Sequence, residues 1–570
     1  MAAMHINIKR DNKMNLVGLR QQSKPPSAIL RSILTLCGGL SIGLTPAVAG
    51  VIDIGNPDVN LRWDNTFKYS AARRLDSPLS ALTLNPNNDD GDRNFAKGLI
   101  SNRFDLLSEL DLIYKKNMGL RISGAAWNDS VYGRSNANPG FAGGAFPNQG
   151  SVPYNRFTRG TRDVHGDGRE VLDAFVFGNF DVNGKTISAR AGRHSVLWGE
   201  SLFFGANAIA GTQMPVDVVK LISVPSTPFK EGIRPVPMVS GQVQMTQDVS
   251  VGAYVQFASS RNRLPASGSY FSNTDYAVDG AEGIYFGPGA PAPRFADMQA
   301  RDSGQGGVQL KMHHGDTDYG FYLIRFHNKL PQIVPKLGMT PVGPAPVGYY
   351  IAYQENIKAF GASASRTFGD YNVASELSLR TNQDLASTQG FDTSALAPVA
   401  NNNSSNPAYA IGRTAHLNIS VLGSVPRNFL WNEATIVGEI AWNRVLSVSK
   451  NGAAVDPNAT RDGVALRAVF EAKYRQVLPG LDLGVPIGIG YAPKGSRPMA
   501  MTPNAWVPEG GGDITVGLNG AYQDTWNFGV NYTHYYGDAR TFNTGARQAF
   551  GWGQTLRDRD FVSFTARATF

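Results

Sequence analysis

The chain has 570 residues, of which 17% are charged, 10% are aromatic and 63 are glycine. This composition favours many strands and turns over a helical protein rich in Ala, Glu, Lys and Leu. The only cysteine is Cys37, which excludes disulfide frameworks, cysteine–zinc sites and cysteine nucleophiles from the rest of the chain. Residues 1–49 hold six basic side chains and one acidic one, so they contribute +5 of the formal net charge of +8. The remaining charge is too small to indicate nucleic-acid binding.

Residues 1–49 are predicted to be a cleaved signal peptide of the Sec type. They have a basic start, an apolar centre at 32–44 and a small-residue cleavage site that ends at Ala49. The apolar centre of about 13 residues is shorter than the roughly 20 that a membrane-spanning helix needs. We therefore expect residues 50–570 to form a single exported domain.

Segments of about ten to fourteen residues with alternating polarity recur along residues 50–570. In the segment after residue 101, Leu110 and Leu112 alternate with Glu109 and Asp111, which is typical of a strand with one apolar face. No long apolar run follows Ala49, so no membrane-spanning helix is expected. The pattern predicts about 18 strands, with a range of 14–18, beginning near residues 59, 101, 119, 169, 185, 239, 249, 305, 318, 355, 370, 411, 432, 463, 481, 512, 526 and 557.

The connections between these predicted strands alternate in length. Asn183-Gly184 favours a two-residue hairpin, because both turn positions need positive φ. Long connections include 133–168 and 198–238. This alternation is typical of an all-β transmembrane antiparallel barrel with short periplasmic turns and long extracellular loops. A two-sheet soluble sandwich is the alternative, since its aromatic core would give a similar pattern.

The last segment ends in an aromatic residue. Phe564 and the terminal Phe570 lie on its apolar face, although Ala568 stands where a second aromatic is common. This pattern resembles the recognition signal of the bacterial outer-membrane barrel assembly machinery. We therefore expect an outer-membrane protein that contacts the lipid bilayer and lipopolysaccharide.

The polar faces of the predicted strands would line the lumen of such a barrel. Their charges are of both signs, so no strong anion or cation selectivity is expected. Two interpretations stay open: cross-lumen networks that stiffen the wall, which we favour, or a transverse field that orients permeants. The predicted lumen-lining residues are Arg62, Lys68, Arg103, Asp105, Glu109, Asp111, Arg121, Arg190, Glu376, Arg380, Glu439, Arg467, Glu471 and Lys473.

The connection at 198–238 differs from the other long loops in composition. Of its 41 residues, 19 are apolar or aromatic, and such a loop is not expected to extend freely into water. We predict that it folds inward, narrows the lumen and presents apolar surface to a hydrophobic solute. The alternative is a loop that only packs on neighbouring loops. The residues assigned to this constriction loop are Trp198, Glu200, Phe203, Phe204, Lys220, Lys230, Glu231 and Arg234.

Six segments carry a resemblance to a known family: "SELDLIYKKNMGLRISGAAW", "GRHSVLWGESLF", "PVDVVKL", "PFKEGIRPVPM", "YGFYLIRFHNKLP" and "ENIKAFGASASRTFGDYNVASELSLR". Together they resemble the outer-membrane family of the domain of unknown function numbered thirteen hundred and two, over most of the exported chain. The resemblance implies a Gram-negative outer-membrane barrel that moves small hydrophobic molecules, such as lipids, sterols, terpenes or aromatic compounds. It also implies a periplasmic partner and an inner-membrane transporter of the resistance-nodulation-division type.

Two other functional classes stay open. An outer-membrane hydrolase would need a nucleophile beside a histidine such as His194, His313, His327 or His534, but no G-x-S-x-G or H-E-x-x-H motif occurs. We therefore predict no catalytic residue and no enzymatic activity. A structural or adhesive surface barrel without transport is the other class.

Two acidic loops, 85–94 and 164–170, offer oxygen ligands that could bind Ca²⁺. Neither has the spacing of an EF-hand, and turn chemistry explains their residues better. No metal site and no cofactor are therefore predicted.

Overall fold

The computed structural model describes residues 50–140, 147–223, 232–287, 289–397, 399–544 and 549–570. The predicted signal peptide and its cleavage site lie outside the described residues.

Eighteen antiparallel strands form the main sheet of the described residues. Their predicted starts lie within four residues of the observed ones. The strands are β1 Val59–Arg74, β2 Gly98–Tyr114, β3 Met118–Asp129, β4 Asp167–Val182, β5 Lys185–His194, β6 Val236–Gln244, β7 Val249–Gln256, β8 Gln305–His314, β9 Thr317–Phe326, β10 Ile357–Phe368, β11 Tyr371–Asp384, β12 Ile411–Val425, β13 Glu433–Lys450, β14 Asp462–Leu478, β15 Leu481–Ala492, β16 Gly511–Tyr522, β17 Trp526–Tyr536 and β18 Phe561–Thr569.

The sheet closes on itself. β1 pairs with β2 on one side and with β18 on the other, where Thr66 lies opposite Thr569 and Arg74 opposite Phe561. A short strand, Gly50–Ile52, extends the same edge of β1 beyond the end of β18. Each of the eighteen strands therefore has a hydrogen-bonded neighbour on both sides. The prediction of an antiparallel outer-membrane-type barrel of about 18 strands is confirmed.

Short turns and long loops lie at opposite ends of the barrel. In the turn between β4 and β5, Asn183 and Gly184 have φ values of 53° and 74°, as a two-residue hairpin requires. The carboxyl terminus lies at the short-turn end, where Asn65 and Phe570 exchange backbone hydrogen bonds of 2.7 and 2.9 Å. Nine longer connections lie at the other end, which we call the loop end.

The loops carry all the remaining regular structure of the described residues. One connection, 327–356, contains a hairpin that the sequence pattern did not predict. The loop elements are the strands Gly283–Ile284, Ala292–Pro293, Gln332–Thr340, Gly343–Ala352, Asn543–Thr544 and Ala549–Phe550, and the short helices Ser80–Leu82, Asp90–Arg93, Arg159–Thr161, Arg162–Gly166, Ala210–Thr212, Val218–Ser223, Gly452–Ala454 and Pro503–Ala505. None of the described helices is long and apolar enough to cross a membrane.

The two faces of the barrel wall differ in polarity. On β2, the outward Phe104 is 60% exposed while its neighbour Arg103 is 3% exposed; on β13, Ile440 is 52% exposed and Glu439 is 3%. Successive strand residues point to opposite faces, so the apolar set faces outward and the polar set inward. Buried apolar clusters instead form where loops meet, as with Phe95, Phe157, Tyr270 and Phe561.

The outward face provides a first prediction. Val530, near the middle of β17, is exposed on the apolar face, and Asn531 follows it on the inward face. We expect Val530→Arg to lower the free energy of unfolding in lipid vesicles by about 2–4 kcal/mol, because it places a charge in hydrocarbon. Asn531→Arg should cost much less. Urea unfolding followed by tryptophan fluorescence compares the two, and equal losses would contradict the assigned faces.

Candidate functional site

The third long connection, residues 195–235, lies against the inward face of the barrel wall; we call it the inserted loop. On β13, the Glu439 carboxylate accepts main-chain hydrogen bonds from Leu202 at 3.1 Å, from Phe204 at 2.9 Å and from Phe203 between them. Its other oxygen accepts from the Asn418 amide at 2.7 Å. One buried carboxylate thus binds three successive N–H groups that belong to no helix or strand.

Two more charged strand residues bind the same loop. On β11, the Glu376 carboxylate accepts main-chain hydrogen bonds from Glu200 at 2.6 Å and from Ile209 at 2.8 Å. Arg380, four residues further along β11 and on the same face, donates to the carbonyl oxygens of Asn207 at 2.6 Å and Ala208 at 2.9 Å. Carboxylates therefore bind the N–H groups of the loop, and a guanidinium binds its carbonyls.

Asn207 extends this attachment to β12 and β13. Its amide nitrogen donates to the Asn418 side chain at 2.9 Å, and its oxygen lies 3.0 Å from donors on both Asn443 and His416. Each hydrogen bond that involves a charged group contributes roughly 1.5–3 kcal/mol. The inserted loop is therefore fixed to β11–β13 by specific polar contacts.

Apolar contacts flank these polar ones. The Phe204 ring lies 5.9 Å from the Trp506 ring, and Ile209 packs in a buried cluster with Tyr322 and Ile357. Trp198 lies edge-on to Tyr254, with 5.0 Å between ring centroids. The loop thus also packs against residues of β7, β9 and β10.

On the opposite wall, a cavity of about 210 Å³ separates the inserted loop from β2–β5. We call it the inner chamber. Arg121 in this chamber lies 2.8 Å from Asp111 and 3.8 Å from Glu109, and the Arg190 guanidinium lies over the Phe175 ring at 5.7 Å. The chamber is lined by Leu107, Glu109, Arg121, Ser123, Leu172, Asp173, Phe175, Arg190, His194, Ser195, Ile233 and Pro235.

A second cavity, of about 300 Å³, lies on the loop side of residues 233–235 and contains Arg234. The Trp127 ring lines this cavity. Three cations lie within 5.4 Å of the centre of that ring: Arg103, Lys220 and Arg263. Lys220 and Arg263 also bind Glu170, at 3.1 and 2.7 Å. Arg234 donates to the carbonyl of Arg261 at 2.9 Å. These cations form a dense polar patch above the inner chamber.

A third cavity, of about 370 Å³, lies near the short-turn end and is lined by both charge signs. It contains the predicted residues Lys68, Glu471 and Lys473, together with Arg475, Asp482 and Arg567. Lys473 lies 3.8 Å from Glu433, and Arg475 lies 2.8 Å from Asp482.

The predicted lumen-lining residues thus divide into two groups. Glu376, Arg380 and Glu439 bind the inserted loop, whereas most of the others form ion pairs along the wall and Arg190 lies over the Phe175 ring. Arg103 lies 2.8 Å from Asp105, Arg62 lies 2.8 Å from Asp64, and Arg467 donates to Asp513 at 3.1 Å. Of the residues predicted for the constriction loop, Lys230 and Glu231 lie outside the described residues, and the inserted loop contains the others, which are Trp198, Glu200, Phe203, Phe204, Lys220 and Arg234.

Several residues in the site were not predicted from the sequence. Glu170, Asp217 and Arg263 form an ion-pair group with Lys220, in which Arg263 lies 2.6 Å from Asp217. Lys329 donates to the carbonyl of Thr212, in the inserted loop, at 3.2 Å. All of them lie in loops or at strand ends, where alternating polarity gives no indication of direction.

The family model described as "Protein of unknown function (DUF1302)" matches residues 31–570. The chain belongs to this family. A search of curated proteins finds no match.

Three solved structures illustrate the similarity to known barrels. OccK1 (OpdK) of Pseudomonas aeruginosa is 10% identical, with a TM-score of 0.39 and coverage of 90% of this chain and 98% of that one. The outer membrane channel DcaP of Acinetobacter baumannii is 8% identical, with a TM-score of 0.35 and coverage of 92% and 100%. Salmonella typhi OmpF, in complex with daunomycin, is 7% identical, with a TM-score of 0.33 and coverage of 90% and 98%.

The carboxylate of Glu439 provides a second prediction. We expect Glu439→Gln to accelerate hydrogen exchange of the Leu202, Phe203 and Phe204 amides about tenfold or more, because the amide group cannot replace the shared carboxylate oxygen. Mass spectrometry of peptides covering 200–206 measures this. Glu471→Gln, in the cavity near the short turns, is the matched control and should leave these amides unchanged. Unchanged exchange in Glu439→Gln would show that the carboxylate does not fix the loop.

Lys329 provides a third prediction. Burial, and then the positive charge of Arg380, lower the pKa of Lys329 to about 7 from an ordinary value of 10.5. Between these pH values the unfolded chain binds more protons at this residue than the folded chain, so stability should rise with pH across this window. We expect the stability of Lys329→Met to rise less with pH over this window than that of the wild type, because the variant has no amine at this position. Urea unfolding of both proteins at several pH values measures it, and parallel curves would contradict the lowered pKa.

Proposed function

We propose that this protein is an outer-membrane channel that passes small hydrophobic molecules, with the inserted loop as its constriction. The contacts of Glu376, Arg380 and Glu439 with residues 200–209 are the observation that carries this proposal. They hold irregular backbone inside the barrel, where it reduces the open cross-section. A loop that only covered the barrel mouth would not need three buried charged groups from the wall.

The exposed apolar side chains of the inserted loop support a hydrophobic permeant. Phe203, Leu221 and Ile222 keep 37–39% of their surface exposed although they belong to a loop that is otherwise well packed. The inner chamber adds Phe175 and Ile233 to this apolar surface. Among its charged residues, Glu109 lies 3.8 Å from Arg121, Asp173 accepts a hydrogen bond from Ser123 at 3.0 Å, and the Arg190 guanidinium lies over the Phe175 ring, and these contacts reduce their attraction for ions. A permeant with an apolar body fits such a lining.

The short-turn end would face the periplasm and a periplasmic partner. Phe429 is 94% exposed and Leu430 is 53% exposed in the turn between β12 and β13. Coupling to a periplasmic protein and an inner-membrane transporter is implied by the family resemblance, and this turn is where we propose that such a partner binds.

Planar-bilayer conductance tests the constriction. We expect small single-channel steps for the wild type, and larger, more variable steps for Glu376→Gln/Glu439→Gln, because the double variant releases the loop. Deleting 205–235 should widen the pore further. Asp316→Asn, in the exposed turn between β8 and β9, is the control and should conduct like the wild type. Identical conductance in all four proteins would exclude a constricting role for the loop.

Hydrophobic uptake tests the permeant class. A strain without this protein should grow more slowly than its parent on sterols, terpenes or alkanes, yet equally on a small sugar. The wild-type gene should restore growth. Equal growth of both strains on every hydrophobic substrate, together with a barrel that does not conduct, would favour a structural or adhesive role.

A further inference from the structure

Three buried aspartates meet at the loop end of the barrel, away from the inserted loop. Asp89 and Asp90 belong to the first long loop, 75–97, and Asp275 belongs to the fourth, 257–304. One carboxylate oxygen from each lies within 4.8 Å of the other two. All three side chains are at most 5% exposed. The chain therefore brings three carboxylates together out of water from loops almost 200 residues apart.

The backbone around the cluster already joins the two loops. The main-chain N–H of Asp275 donates to the Asn87 carbonyl at 2.9 Å, and that of Asp90 donates to the Asp275 carboxylate at 3.2 Å. The Asn88 amide donates to the Asn273 carbonyl at 3.1 Å. These contacts fix the positions of the carboxylates relative to one another.

Their hydrogen bonding is incomplete, which is a separate observation from their clustering. Oδ1 of Asp89 and Oδ1 of Asp275 are buried and accept no hydrogen bond from any of the described residues. Oδ1 of Asn148, a buried residue of the second long loop, likewise has no partner among them. A buried carboxylate oxygen without a hydrogen-bond donor destabilises the folded state, because it has lost its hydrogen bonds to water and forms none within the protein. Such oxygens are typical ligands of a hard cation.

The charge of the cluster is also unbalanced. Arg93 is ion-paired with Asp89, but Asp90 and Asp275 form no salt bridge with any of the described residues. The three carboxylate groups therefore share one arginine, and like charges at this separation repel one another. A bound cation would remove this repulsion.

We propose that Asp89, Asp90 and Asp275 bind a Ca²⁺ ion that links the first and fourth long loops. The three carboxylates form an all-oxygen ligand set of the kind that Ca²⁺ takes. Extracellular Ca²⁺ sites work at Kd values of about 10⁻⁴–10⁻³ M. The site stabilises the loop end and does not depend on what the channel passes.

Calcium titration of the purified barrel tests the proposal. The protein is refolded in detergent free of lipopolysaccharide, since that lipid binds Ca²⁺ itself. We expect one saturable calorimetric heat with CaCl₂, and a Tm several degrees higher with millimolar CaCl₂ than with EDTA, because a ligand that binds only the folded state stabilises it. Asp275→Asn should lose both the heat and the difference in Tm.

Asp163→Asn is the matched control, because Asp163 is an exposed loop aspartate that lies 3.6 Å from Arg159 and far from the cluster in sequence. It should respond to CaCl₂ like the wild type. The proposal is overturned if the wild type shows neither heat nor a Tm difference, or if Asp275→Asn keeps the wild-type response. If Asp275→Asn does not fold, the calcium titration of the wild type alone tests the proposal.

Discussion

The requirement that dominates this structure is that every backbone N–H and C=O group in hydrocarbon must be paired within the protein. A sheet meets it only by closing, and the pairing of β1 with β18 closes this one. Closure then separates the two sets of side chains on each strand, because residues of period two must lie alternately in lipid and in the lumen. The apolar exterior and the charged interior follow from this single constraint.

The same requirement explains the charged residues on β11 and β13. The inserted loop brings irregular backbone to membrane depth, which is tolerated only where protein groups or water satisfy it. Glu376 and Glu439 accept hydrogen bonds from its N–H groups, and Arg380 donates to its carbonyls. The buried charges in turn gain the hydrogen bonds that their own burial demands. The backbone groups of the loop and the charged side chains of the wall therefore satisfy each other's hydrogen bonds. This explains why these charges can be deeply buried without an ion-pair partner on a neighbouring strand.

Features that depend on residues close together in the sequence could be predicted, whereas contacts between residues far apart in the sequence could not. Strand positions and faces were predictable, because alternation and turn residues such as Asn183-Gly184 are local. The unusual composition of 198–238 also singled out the loop. The partners of each charge were not predictable: Glu439 and Glu109 have the same local pattern, yet one binds the inserted loop and the other lies beside Arg121. Nor could Asp275 be associated with Asp89 and Asp90, because their meeting depends on the path of two irregular loops, to which periodicity does not apply.

The attachment of the inserted loop to one wall has a consequence for any permeant. Polar contacts fill the space between the loop and β11–β13, whereas the inner chamber lies between the loop and β2–β5. Residues 233–235 separate this chamber from the cavity around Trp127, since Ile233 and Pro235 line the one and Arg234 lines the other. A solute that enters from the loop end along β2–β5 would therefore meet a cavity with four arginines first, and next a chamber in which five apolar side chains lie among charged and polar ones. For the hydrophobic permeant proposed above, this lining suits a molecule that carries a polar group on an apolar body.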